Sequence, residues 1–269
     1  MMYAFIMPKR GGVMIKMLKY ENESGLSLCF RNKKPYYFEK VDATGLNGNF
    51  TSDTLARAVG QITTNKSIGA RTVVCDFALW LTDEGDRTDR LNYIINLLNP
   101  MKSGILTLVT DIAAYEIECY PSAVPPMPKE EEVNTVYRFT VDFICDYPYF
   151  RQLGIINKPM TKGTNIINSL SIPDAPIKVY IPDCSKGAVI HFQNALGSNT
   201  LKLLAVDGAV TVDTEKFTAV TDEGEDVTGK INLLSKIENC KLTYGENKIA
   251  FDVPASITIS YYNLALGVI

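Results

Sequence analysis

The sequence predicts an all-β protein with one helix, built as two successive modules, and three observations carry that prediction. The stretch VYRFTVDFICDYPYF, residues 136–150, alternates: Tyr137, Phe139, Val141, Phe143 and Cys145 share one face, and Arg138, Thr140 and Asp142 the other. A period of two marks a half-buried strand. Pro148 has no N–H to donate to a ladder, so the sheet ends near residues 146–149 and the chain has a seam close to its middle. The second observation is length, since 269 residues exceed a typical single core of about 100–150. The third is a series of turn signals after residue 171, such as Val206-Asp207-Gly208 and Gly245-Glu246-Asn247. They recur at the spacing of a β-sandwich, roughly 8–12 residues.

Residues 16–20 and 26–30 read as an opening hairpin around a polar turn, and 36–41 as a third strand. Residues 42–69 are rich in Gly, Asn, Thr and Ser and read either as a long loop or as an exposed hairpin, a kind of segment that often forms an interaction surface. RTVVCDFALWL, 71–81, is a strand with Val73, Cys75, Phe77 and Leu79 on one face and Trp80 on the other, which predicts cover on both sides. Residues 86–99 are the one clear helix, because Leu91, Ile94, Ile95 and Leu98 follow the spacing of a single buried stripe. Asp86 or Thr88 is its expected cap, and Asn99-Pro100 its stop. With strands at 105–109 and 114–120, the first half is a small β-barrel or sandwich with a helix packed on it. A proline-rich loop, 121–132, then ends in Glu130, Glu131 and Glu132 and delivers the chain to the seam strand.

Residues 151–170 are polar and weakly patterned and read as a linker with a short strand. The second module, 171–269, carries expected strands at 177–181, 188–193, 200–205, 209–213, 217–220, 231–234, 240–244, 248–252 and 257–262 and needs no helix. The first domain is then 14–150. Residues 1–13 join no visible sheet or helix pattern and read as a non-structural extension, with Met14 or Met17 as alternative starts.

Composition narrows the function. Hydrophobic residues make up 46% and charged residues 21%, and no apolar run reaches the roughly 18 residues of a spanning helix. Disorder and a membrane span are therefore not indicated. A formal charge of −3 offers no broad attraction for phosphate backbones, so direct nucleic-acid binding is not expected. The six cysteines, Cys29, Cys75, Cys119, Cys145, Cys184 and Cys240, form no CxxC pair and read as buried free thiols rather than a disulfide or metal framework. The opening MMYAFIMPKRGG places its basic residues after a short apolar run, the wrong order for a secretory signal, so folding in a cytoplasm is expected.

No catalytic motif emerges. His191 is the only histidine and sits in the strand pattern VIHFQN without a visible second ligand or triad partner. No GxGxxG, P-loop, GxSxG or HExxH occurs, so no cofactor is implied. Glu116 and Glu118 lie two apart on one strand face, a separation that two glycosidase carboxylates can span, but alternating charges are also what a half-solvated sheet shows. TDEGED, 221–226, has the oxygens for calcium without the ordered EF-hand positions and reads first as a solvated turn. Glu130–Glu132 reads first as a charged loop tip. No catalytic, cofactor-binding or metal-binding residue is assigned.

In order and spacing, the early hairpin, VDATGLNGNF, RTVVCDFAL, RLNYIINLLNP with its KSGILTL exit, and FTVDFICDYPYF resemble the distal tail protein (Dit) family of long-tailed bacteriophages. VDGAVTVDTEKFTAV, LTYGENKIAF and ITISYYN extend the resemblance through the second half. It implies an N-terminal tail-tube-like β-barrel that forms a hexameric ring, followed by a galectin-like β-sandwich on the ring's outside. It also implies a structural, non-enzymatic protein of the virion tail tip, assembled in the host bacterial cytoplasm. The implied partners are other copies of itself, the tail tube protein, a tail-associated hub or lysin protein and a receptor-binding protein. The family's inserted carbohydrate-binding modules have no room in this chain. The alternative is a carbohydrate-binding β-sandwich protein involved in host-surface adhesion, although the second module has no tryptophan to act as a sugar platform. A third reading, a carboxylate glycosidase, requires two acids converging on a cleft.

Overall fold

The computed structural model describes residues 14–43, 46, 48–54, 61–81, 84–129, 135–253 and 256–267; the expected extension, 1–13, lies outside the described residues. The chain divides into two compact units, the first running to Phe150 and taking in the chain again from Gly267, and the second spanning Arg151–Leu266.

The first unit carries β1 (Ile15–Asn22), β2 (Ser27–Arg31), β3 (Tyr36–Asp42), β4 (Gly48–Thr54), β5 (Gln61–Ile68), β6 (Arg71–Trp80), α1 (Glu84–Leu97), β7 (Gly104–Thr110), β8 (Ala114–Pro121) and β9 (Val136–Cys145). Seven of these strands close into a barrel, in the order β8-β7-β1-β2-β3-β6-β9, with β9 pairing back onto β8. The alternation seen in the sequence becomes the barrel wall. Tyr137, Phe139, Val141, Phe143 and Cys145 of the seam strand are all buried, and so are Val73, Cys75, Phe77 and Leu79 of its neighbour β6. Trp80 lies half-buried on the other face, edge-on to Tyr37 at 6.0 Å with the Lys34 ammonium 5.1 Å from its ring centre. Residues 42–69 contain a hairpin, in which β4 and β5 pair, among the described residues, only with each other.

The helix begins at Glu84, two residues before its expected start, so Asp86 and Thr88 lie within its first turns and neither is the cap. The correction has a simple cause: an acidic residue suits the positive end of the helix dipole as well as it suits a cap. The stop before Asn99-Pro100 is found where expected. Ile94, Leu97 and Leu98 are buried, with Leu91 and Ile95 half-buried beside them. Polar bonds fix the docking: Arg90 Nη1 donates to Trp80 O (3.2 Å), Arg87 Nε to Leu81 O (3.3 Å), and the Tyr93 hydroxyl to Ser27 O (2.8 Å).

After the seam come β10 (Phe150–Gln152), β11 (Ile156–Met160), β12 (Gly163–Ser169), β13 (Ile177–Ile181), β14 (Ala188–Asn194), β15 (Gly197–Leu203), β16 (Val210–Asp213), β17 (Thr218–Thr221), β18 (Gly245–Phe251), β19 (Ile257–Tyr261) and β20 (Leu264–Ala265). A five-stranded sheet, β11-β19-β13-β16-β17, and a four-stranded sheet, β12-β18-β14-β15, enclose one apolar core that includes Ile167, Val179, Ile190, Phe192, Val212 and Ile259.

Two expectations about this unit are corrected. Residues 151–170 are not a linker: β11 pairs along β19 from Ile156–Tyr261 to Met160–Ile257, and β12 along β18 from Gly163–Phe251 to Ser169–Gly245. Both are edge strands that bury little. Only Met160 of β11 and Ile167 and Ser169 of β12 are buried, which leaves no alternation to read. The strands expected at 231–234 and 240–244 are absent. Leu233 and Leu234 stand almost fully exposed in a turn pinned by Asn232 Oδ1, which accepts from Leu234 N (2.9 Å), while Cys240 and Leu242 are buried from a loop whose ladder contact is one bridge, Leu242 to Ala175. A 3-10 turn precedes each segment, at Thr228–Lys230 and Ile237–Asn239.

Candidate functional site

Glu116 and Glu118 lie on β8, opposite Thr107 and Ile105 of β7, and turn outward because Ile117 and Cys119 take the core face. Glu118 sits at the rim of an open groove of ≈ 410 Å³ whose walls include Glu21, Glu23, Ser103 and Ile105. The first of these carboxylates is held by Lys19 Nζ at 2.5 Å, and the Glu23 carboxylate accepts from the Ser103 hydroxyl at 2.7 Å. This arrangement places charges on a solvated wall.

Beside that groove lies the polar centre of the first unit, which the sequence did not flag. Asn22, 2% exposed, accepts at Oδ1 from Ser24 N (3.1 Å) and Leu26 N (3.2 Å), closing the first hairpin turn. Its Nδ2 donates to Leu97 O (3.2 Å) and Asn96 O (3.4 Å), two of the carbonyls that a helix end leaves without intrahelical partners. One side chain thus joins the hairpin to the helix. The only sequence signal was an Asn at a strand-to-turn boundary. In the second unit Asn247 plays the same part: Oδ1 accepts from Thr243 N (2.9 Å), and Nδ2 donates to Thr243 O (2.9 Å), Gly245 O (3.0 Å) and Ile167 O (3.3 Å).

His191 is exposed on β14, with Nδ1 3.0 Å from Thr200 Oγ1 across the ladder to β15. It lines a shallow groove of ≈ 240 Å³ on the outer face of the four-stranded sheet with Thr164, Gln193, Ser198, Thr200 and Lys248, over Ala250. The small Ala250 makes the hollow, and hydroxyl, amide, imidazole and ammonium groups rim it.

The carboxylates of 221–226 build the turn. Asp222 accepts from the Tyr180 hydroxyl (3.2 Å), and Asp226 from Thr228 N (2.8 Å). The hydroxyl and N–H of Thr228 hold Asp226 below the usual carboxylate range. Among the described residues no group of three or more His, Cys, Asp or Glu is placed to hold a metal ion. Glu130–Glu132 lies outside the described residues. Five of the cysteines are buried and Cys29 is partly exposed, all as free thiols. Burial pushes the thiols of Cys75, Cys119 and Cys184 up, and that of Cys240 up to about 12. No described helix is long and apolar enough to cross a membrane.

No protein-family model matches the chain, and no curated protein sequence matches it. Solved structures do. The crystal structure of phage SPP1 Dit (gp 19.1), described as a paradigm of the hub adsorption apparatus in phages that infect Gram-positive bacteria, aligns at a TM-score of 0.73 and 14% identity. The alignment covers 93% of this chain and 100% of that one. The phage P2 baseplate in its activated conformation, solved with Ca and with Sr, aligns at a TM-score of 0.54 and 10% identity in each case, covering 95% of this chain and 100% of the other. The chain is thus similar in fold to phage Dit and baseplate proteins.

Proposed function

We propose that the chain is a structural protein of a phage tail tip, without catalytic activity, which forms a hexameric ring between the tail tube and the tail-tip hub with its receptor-binding apparatus. The observation that carries this reading is the extent of the likeness to SPP1 Dit, which runs through both units and takes in the whole Dit chain. Its partners are then further copies of itself, the tail tube protein, the hub or lysin protein and a receptor-binding protein. Its place is the virion tail, after assembly in the host cytoplasm. A closed ring suits a head-to-tail contact, because cyclic closure leaves no unsatisfied ends. The barrel unit forms the ring, and the sandwich unit docks peripheral proteins.

Native mass spectrometry and negative-stain imaging of the full chain, mixed with the tail tube and hub proteins of the same phage, test the reading. Six-copy rings are the expected product. A chain that stays monomeric with both partners present overturns it. A second reading, glycan binding by the sandwich, is favoured by one observation, the hydroxyl- and amide-rimmed hollow around Ala250. Glycan-array binding abolished by Gln193→Ala and Thr200→Ala, in a chain that forms no ring, would put that reading first.

A further inference from the structure

The barrel is closed by ladders of unequal length. The β6–β9 ladder runs unbroken from Arg71–Cys145 to Trp80–Val136, whereas β8 meets β9 through Tyr120–Ile144 and Pro121–Phe143 alone. A short ladder is where a closed sheet opens at least cost. The antiparallel register of those two pairs places Cys119 opposite Cys145 as the next pair along. Both side chains turn into the barrel, with Cys119 3% and Cys145 0% exposed, and burial together with the neighbouring Cys145 thiol pushes the Cys119 thiol up. Cys145 Sγ also lies 3.8 Å from Phe143 O, as a donor. Directly opposed antiparallel residues have Cα atoms about 4.5–5.5 Å apart, inside the range that a disulfide spans. Their Cβ atoms, about 4.5–5.5 Å apart, need only a small approach to reach disulfide geometry. Cys75, the third buried thiol of the barrel, lies opposite Val141 and is out of register with Cys145.

We propose that Cys119 and Cys145 are a site of disulfide formation, a covalent lock on the β8–β9 joint that closes under oxidising conditions. The inference stands on the register and burial of the pair and does not depend on the proposed role at a tail tip. In the closed barrel both thiols are shielded, so the reaction passes through an opening of the joint that exposes the pair together. With a small disulfide such as oxidised glutathione, the thiolate of one cysteine attacks a reagent sulfur and expels one glutathione thiolate. The second cysteine then attacks the protein sulfur of the mixed disulfide and expels the other. Two protons leave the protein thiols and the two electrons end on the two glutathiones, so the protein is oxidised by two electrons and the reagent reduced by two. The bond joins strands separated by the long 122–135 connection, so it removes freedom from the unfolded chain at a joint held by two ladder pairs.

The test incubates the full chain with oxidised glutathione in sub-denaturing urea, alkylates the remaining thiols and maps peptides by mass spectrometry. The expected result is one disulfide, Cys119 to Cys145, with the other four of the six cysteines alkylated. The oxidised barrel should melt about 5–10 °C above the reduced one. Cys75→Ser should leave the cross-link intact and Cys119→Ser should abolish it, with every remaining cysteine alkylated. Alkylation of all six cysteines, also after refolding from full denaturant in the same buffer, overturns the proposal. So does a link through Cys75, or a cross-linked protein whose melting temperature is unchanged.

Discussion

Replacing Asn22 with Ala should unfold the barrel unit more readily by about 2–4 kcal/mol, a large loss for one amide. The magnitude follows from its four bonds. The bond to Leu97 O is fully buried, and a carbonyl stranded there loses about 1–3 kcal/mol. The bonds from Ser24 N and Leu26 N and to Asn96 O lie at the solvent edge, where water takes over and each loss is smaller. Asn22→Asp separates this account from a mere size effect, because it keeps the acceptor and turns the donor into an anion facing the negative end of α1. At neutral pH Asp should therefore be worse than Ala. The aspartate's folded-state pKa would be raised above its unfolded value of about 3.9, so the penalty is absent below that value and develops as pH rises through the folded pKa. Urea unfolding followed by Trp80 fluorescence reads this cleanly, since the only tryptophan of the chain lies on β6 of the barrel. A shift below about 0.5 kcal/mol for Ala, or an Asp variant at least as stable as Ala at pH 7, would refute the bridging role.

Three further outcomes follow. A Cβ added at Gly104 would lie 2.4 Å from Glu21 O and 2.7 Å from the Tyr20 hydroxyl, so Gly104→Ala should lower barrel stability by at least about 1–3 kcal/mol; Tyr20→Phe, which removes a buried hydroxyl with no hydrogen-bond partner among the described residues, should leave stability unchanged or raise it by up to about 1 kcal/mol, and urea titration checks both. Above the ordinary thiol range, roughly pH 8.5, the unfolded chain releases protons that folded Cys240 keeps up to about pH 12, so Cys240 alone should cost the sandwich unit about 1.4 kcal/mol per pH unit in that window, and Cys240→Ala should lessen the slope by that amount and leave the part that Cys184 contributes, in unfolding monitored by circular dichroism. Limited proteolysis mapped by mass spectrometry should leave 156–169 uncut, because that backbone is tied into two ladders; early cleavage there would return it to the status of a linker.

What the sequence revealed depended on how each strand meets solvent. The seam strand β9 has five inward apolar side chains and polar ones between them, so its period was visible without any partner. Strands β11 and β12 were legible only as one short strand in a linker because they are edges with few inward residues, and Pro159 is tolerated on an edge strand that owes no N–H to a further neighbour. The reverse error arose at INLL and CKLTY. Leu233 and Leu234 supply apolarity that nothing buries, and Cys240 and Leu242 supply a spacing of two from a loop. Local pattern reports the burial a side chain would tolerate; ladder partners decide whether a strand forms.

The same reasoning explains why the barrel's closure and its polar centre were not legible. Closure rests on β8 meeting β9 across the proline-rich connection, and no residue in either strand specifies that partner beyond having a buried face. Asn22 and Asn247 were overlooked because a turn asparagine looks alike whether its amide faces water or bridges two elements. The distinction lies in what the tertiary fold brings to the side chain: helix-end carbonyls for Asn22, and the Ile167 carbonyl of an edge strand for Asn247. Asn22 satisfies carbonyls left over at a helix end, and Asn247 the backbone of the turn that leads into its own strand. The positions that fix the architecture are therefore concentrated at the ends of elements, where hydrophobic periodicity carries no signal.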